Sequence, residues 1–210
     1  MPSFVTPTTP AYQVWIAPQI VTNNNVVLGS NAGNTLLDLR EARGAWVYSS
    51  LGRGTGTPTR QAELQIRRLP NGSGNYPSTA FDRVSSAPTT AAGSSTLSAA
   101  LATNSATLSL NTAPSPAFAV GDRVCVFNSA GTAIQFGRLA TFTSTTAWTA
   151  EDNWAIVNDI GDTVTNLADV FAPFWIPGQG RYRIKFNNYS GISYIPFCAV
   201  DIDYGDTINP

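Results

Sequence analysis

Asp201, Asp203 and Asp206, in the run Asp-Ile-Asp-Tyr-Gly-Asp, set three carboxylates close together, the oxygen-rich cluster that a hard cation such as calcium takes. A calcium loop needs a bidentate acid at its twelfth position, and Pro210 is reached first. The expectation is a solvated strand end, and no metal is assigned. Glu63, Glu151 and Asp152 are the acids available for glycoside hydrolysis, which uses two carboxylates roughly 5 to 10 Å apart. None stands in a distinctive setting. The chain contains no histidine, which removes Ser-His-Asp and Cys-His nucleophile pairs, the HExxH zinc site and imidazole switching near neutral pH. The expectation is therefore a protein that is not an enzyme, with no catalytic residue and no cofactor.

Other motifs carry structural explanations. Cys125 and Cys198 lie far apart without a CxxC spacing and read as two small buried apolar side chains. The glycine-rich run Leu51-Gly52-Arg53-Gly54-Thr55-Gly56-Thr57-Pro58 lacks the GK[ST] that opens a phosphate-binding helix, and is expected to connect strands. Five tryptophans (15, 46, 148, 154 and 175) are numerous enough for a sugar-stacking platform, although aromatic side chains more often anchor cores and interfaces. Asn71-Gly72-Ser73 and Asn188-Tyr189-Ser190 match the glycosylation sequon but, with no secretory leader at the start of the sequence, are read as turns.

The elements that position these residues follow from composition. Of 210 residues, 43% are hydrophobic and only 12% charged; 12 basic and 13 acidic side chains are scattered rather than clustered, for a net charge of -1. That balance implies neither a nucleic-acid nor a membrane partner, and no apolar run approaches the roughly 20 residues of a spanning helix. Thr, Val, Tyr, Phe and Trp abound and Lys185 is the only lysine, so the chain is expected to be all-β. Pro2, Pro7, Pro10 and Pro18 mark residues 1-18 as an extended N-terminal arm. Ordering it costs about 1 to 2 kcal/mol per residue, so Tyr12, Val14, Trp15 and Ile16 are the candidate interface residues, packing on a surface of this chain or of a neighbour.

Period-two alternation appears at Leu37 and Leu39, at Ala45 and Val47 against Trp46 and Tyr48, and at Ala62, Leu64 and Ile66, which predicts half-buried strands. Residues 70-105 shift to Pro, Gly, Ser, Thr and Ala and look like a linker. Beyond it, Val120-Gly121-Asp122 and Ile160-Gly161-Asp162 are expected hairpin corners of a small barrel. The predicted organisation is a β-sandwich, jelly-roll-like, built from 19-94 plus 166-210, with 95-165 as an inserted β-module. Arg181, Arg183 and Lys185 alternate with Tyr182, Ile184 and Phe186, and Asp201 and Asp203 with Val200 and Ile202. If residues 187-191 turn these into an antiparallel pair, Arg181 and Asp201 form a cross-strand ion pair.

The segments Thr35-Leu36-Leu37-Asp38-Leu39-Arg40, Gly44-Ala45-Trp46-Val47-Tyr48 and Leu51-Gly52-Arg53-Gly54 resemble small structural proteins of tailed bacteriophages. Ser95 to Val164, with its two GD turns, looks like the β-modules of phage virion proteins, and Phe186-Asn187-Asn188 and Asp201-Ile202-Asp203 fit the same pattern. Residues 1-30 fall outside the resemblance. It implies a virion structural protein assembled in the host cytoplasm, first of all a capsid decoration or cement protein. The implied partners are the major capsid protein or other virion proteins, with the chain itself a homo-oligomer, a trimer or a dimer. Two alternatives stay open: a tail, neck or fibre-base component, and a carbohydrate- or receptor-binding β-sandwich module.

Overall fold

Alternating apolar side chains commit a strand to burying one face, and a chain with many such strands buries them by stacking sheets. A computed structural model describes residues 12-60, 62-69, 82-86, 92-167, 169-178 and 180-205, and within them the protein is all-β. Its strands are β1 (Tyr12–Ile16), β2 (Asn25–Leu28), β3 (Leu37–Asp38), β4 (Gly44–Arg53), β5 (Glu63–Arg68), β6 (Asp82–Ser86), β7 (Ser94–Thr96) and β8 (Thr107–Ser109). They continue as β9 (Arg123–Phe127), β10 (Ile134–Ser144), β11 (Ala147–Ala150), β12 (Thr163–Asn166), β13 (Asp169–Pro177), β14 (Arg181–Asn188) and β15 (Tyr194–Asp203).

Two sheets make the sandwich, one ordered β1-β15-β4-β13 and the other β2-β14-β5-β6. The short β3 continues β2: β2 pairs with residues 185-188 of β14 and β3 with 181-182, on the same edge and in the same direction. The sandwich therefore has eight strand positions. Counted along the chain, they run first-eighth-third-sixth in one sheet and second-seventh-fourth-fifth in the other. All pairings are antiparallel, and this interleaving is the jelly roll. Between the sheets lies one core, in which Trp15, Leu37, Val47, Ile66, Ile184, Phe186 and Val200 are buried.

The break between β2 and β3 holds a small excursion. Asn31 and Asn34 exchange both backbone hydrogen bonds at 2.9 Å around Ala32 and Gly33, whose φ values are +49° and +80°. Two left-handed residues are what a type I′ turn requires, and alanine is costly at the first of them. Ala32→Asn is expected to stabilise the chain by about 1 kcal/mol, read as a higher urea midpoint with unchanged slope.

Between the fifth and sixth sandwich positions, the chain builds a six-stranded sheet ordered β7-β12-β9-β10-β11-β8. It curls until its edges meet at the Leu97↔Leu110 bridge, enclosing Leu101, Leu108, Val126, Leu139, Trp148 and Trp154. Residues 92-105, expected to be linker, thus contribute β7 and the buried Leu97 and Leu101 to this barrel; much of 70-91 lies outside the described residues. The two GD turns repeat one geometry. Gly121 and Gly161 sit at φ +90° and +92°, and the carboxylates of Asp122 and Asp162 accept from Ala119 N and Asp159 N at 2.9 and 3.1 Å. They open β9 and β12 rather than close hairpins.

Barrel and sandwich are packed together. Cys125, Phe127 and Ile134 of the barrel form a third core with Ile195 of β15, and Thr165 Oγ1 donates to Arg53 O at 2.7 Å. A Cβ on Gly52 would stand 2.9 Å from Cys125 Sγ, so the glycine permits the close approach. Both cysteines are free and buried; burial pushes the Cys198 thiol up to about 12 and the Cys125 thiol up as well.

Candidate functional site

The outer face of the β1-β15-β4-β13 sheet is divided between two environments. In β4, Ala45 and Val47 point into the core, which turns Trp46 and Tyr48 outward, whereas Leu51, Gly52 and Arg53 are all buried. The change from alternating to continuous burial marks where the barrel begins to cover the sheet. On β15 the same border falls near Phe197, whose ring lies 6.4 Å from that of Phe136 in the barrel.

Beyond the border the face is open and aromatic. Register aligns Tyr12 of β1, Asp201 of β15, Trp46 of β4 and Trp175 of β13 in one row across the sheet. The next row holds Val14, Ala199 and Tyr48. Tyr12 is 55% exposed, Trp46 44% and Trp175 40%, with Val14 and Tyr48 at 36%, while Ala199 between them is fully buried and forms the floor. The Trp46 and Trp175 rings meet edge to face, with centroids 5.5 Å apart and planes at 67°. An aromatic patch of this kind, with the Asp201 carboxylate set between Tyr12 and Trp46, marks a contact surface. Covering the half-exposed rings would yield about 1 to 2 kcal/mol apiece.

The candidate arm residues divide by alternation. Tyr12 and Val14 belong to the open face, but Trp15 and Ile16 are buried in this chain's own core, with Trp15 Nε1 donating to Gln13 Oε1 at 3.1 Å. Residues 12-16 are thus not a free arm: they pair with β15, and a bulge between Val14 and Ile16 turns the last two side chains inward. Residues 1-11 lie outside the described residues.

The expected Arg181–Asp201 pair does not form. β14 and β15 belong to opposite sheets, because the 189-193 connection crosses the sandwich instead of closing a hairpin. Arg181 Nε instead reaches Asp38 Oδ2 at 3.2 Å, which Arg40 also grips at 2.6 Å. The Arg40 hydrogen bond, aided by Arg181, holds the Asp38 carboxyl below its ordinary value.

The remaining acids are dispersed. Glu63 lies on β5, Glu151 pairs with Arg138 on the barrel, Asp201 and Asp203 share the sheet face, and Asp206 lies outside the described residues. Among the described residues no three His, Cys, Asp or Glu side chains gather as metal ligands. Three of the five tryptophans, Trp15, Trp148 and Trp154, are core residues; the other two are steeply inclined to each other rather than coplanar. A cleft of about 270 Å³ opens at the β1 edge of the sandwich, lined by Gln13, Trp15, Asn31, Asn34, Asp38 and Tyr204 and by no residue of the aromatic face. No family model, no curated protein and no solved structure matches the chain.

Proposed function

We propose that the chain is a virion structural protein, a capsid decoration or cement protein that binds the assembled shell through the open aromatic face of the β1-β15-β4-β13 sheet. The observation that carries this is the half-covered face: one end already holds a packed partner, the barrel, and the other presents Tyr12, Trp46, Tyr48 and Trp175 in register. The jelly roll itself is shared by capsid and lectin domains and does not choose between them. The inclination of the two exposed indoles favours protein over sugar, since a flat pyranose ring stacks best on aromatic rings presented side by side. A protein that binds only the assembled shell stabilises it by mass action, multiplied over many equivalent sites.

The test is to follow the chain through a density gradient of its native source and count copies on any particle. Co-migration at roughly hundreds of copies supports the shell; about a dozen or fewer moves the chain to the tail, neck or fibre base. Migration only as free protein removes the assignment. On particles, Trp46→Asp and Trp175→Asp are each expected to weaken binding about 30-fold, the effect of losing an interface anchor, with the melting temperature of the free chain little changed.

A further inference from the structure

The row that carries the open aromatic face has a carboxylate within it. Register places Asp201 of β15 between Tyr12 on β1 and Trp46 on β4, with Trp175 beyond. Side chains directly opposite on neighbouring strands have Cβ atoms about 4.5 to 5.5 Å apart, so a ring stands on each side of this carboxylate. Asp201 is partly buried, and none of the described residues gives its carboxylate a hydrogen bond or an ion pair. Aspartate is among the residues least suited to a strand, and one partly withdrawn from water without a cation costs stability.

The chain places its own bases elsewhere. The four strands of this sheet contain one, Arg53, which is buried at the end that the barrel covers. Arg43 lies one step past the last register pair, Asp203 with Gly44, and its guanidinium packs against Gly205. Asp203 itself, the next outward residue of β15, accepts from Gly205 N at 2.7 Å. A cation for Asp201 therefore has to come from outside the sheet.

The surroundings of Asp201 fit a long side chain. Two residues back along β15, Ala199 leaves a trough between Val14 and Tyr48, floored by its buried methyl group. An aliphatic stem can lie in such a trough while its charged head reaches the carboxylate. The rings are held in place as well. A Cβ on Gly44 would stand 2.2 Å from Trp175 Cζ2, so the glycine leaves room for that indole to lie over β4, edge to face with Trp46. Fixed aromatic rings beside a carboxylate are a preorganised seat for a cation.

We infer that this face takes an arginine side chain of the partner protein, its stem in the trough over Ala199 and its guanidinium on Asp201 between Tyr12 and Trp46. Arginine fits better than lysine because its planar head forks onto a carboxylate, stacks on a ring and is more weakly hydrated. The inference rests on the aromatic face being the docking surface and adds what the partner brings to it.

The experiment follows the indole N–H signals of the full chain by two-dimensional NMR as the blocked peptide acetyl-Gly-Arg-Gly-amide is added to about 20 mM, the range of a single weak contact. Expected are saturable shifts of the Trp46 and Trp175 signals, assigned with Trp46→Phe and Trp175→Phe, while those of the buried Trp15, Trp148 and Trp154 stay in place. Asp201→Asn keeps the side chain's shape and is expected to weaken binding about fivefold or more, with a melting temperature unchanged or higher. A citrulline peptide, with a head of the same shape and no charge, is expected to bind about fivefold more weakly, and a lysine peptide about threefold more weakly. The citrulline and lysine comparisons use the parent chain and stand even if a variant misfolds. Unmoved Trp46 and Trp175 signals overturn the inference, as does equal affinity for citrulline, equal affinity in Asp201→Asn, or lysine bound as tightly as arginine. The reading beneath it fails separately. A chain that migrates only as free protein on the density gradient yet gives these shifts keeps the arginine site and loses the shell, whereas one held on particles through Trp46 and Trp175 that ignores the peptide keeps the shell and loses the arginine.

Discussion

Trp15→Ala is expected to destabilise the isolated chain by about 3 to 5 kcal/mol, the cost of removing a buried indole and leaving its cavity. Trp15 is only 4% exposed, in the core between the jelly-roll sheets, and its indole N–H donates to the neighbouring Gln13. A loss of this size is a large part of the roughly 5 to 15 kcal/mol that stabilises a typical domain. Urea or calorimetric unfolding of the free protein reads it directly. Tyr12→Ala, three residues earlier on the same strand and on the open face, is the control: it should cost under about 0.5 kcal/mol. Equal, small effects at both positions would mean that β1 contributes little to this chain's own core and is available to a neighbouring subunit.

Gly178→Ala is expected to cost more than about 4 kcal/mol, or to prevent folding, on steric grounds alone. Gly178 follows β13 where that edge strand closes on β4, and its N–H donates to Arg43 O at 2.8 Å. A Cβ placed there would stand 1.8 Å from Ala42 O and 2.7 Å from the carbonyl carbon of Arg43. Both are backbone atoms, so no rotamer change relieves the overlap, and the end of β13 must part from β4. Gly161→Ala isolates the other kind of glycine cost. Its φ is +92°, but open space surrounds the new methyl group, so about 1 to 2 kcal/mol of backbone strain is the whole effect. Thermal unfolding of the two variants side by side separates overlap from strain; similar values would refute the close packing at Gly178.

Much of this fold is written in period-two alternation. Ala45 and Val47 against Trp46 and Tyr48, Leu64 and Ile66 against Glu63 and Gln65, and Tyr182, Ile184 and Phe186 against their basic neighbours each predict a strand that is present. Alternation does not name a strand's partner. Asn187 to Gly191, taken as a turn, would make β14 and β15 a hairpin, but a jelly roll sends them to different sheets, so Arg181 finds Asp38 instead of Asp201. Nor does it say which face is inward when both are apolar. In β4 the smaller side chains entered the core and the aromatic ones stayed out, a choice that alternation alone does not make. Proline frequency misjudged the start of the described chain: Tyr12 to Ile16 lies between Pro10 and Pro18 with no proline of its own, long enough for an edge strand.

The position of β15 has a consequence for biosynthesis. It is the latest of the sandwich strands in chain order, yet it sits between β1 and β4, pairing with residues emitted from the ribosome 141 to 189 positions earlier. The barrel, by contrast, draws all six strands from one continuous stretch and can close while translation is still under way. The nascent protein thus carries a finished barrel beside an unfinished sandwich whose first and third strands await a common neighbour. Contacts so remote in sequence form slowly, and until they do the exposed edges of β1 and β4 are the places where a chaperone has most to protect.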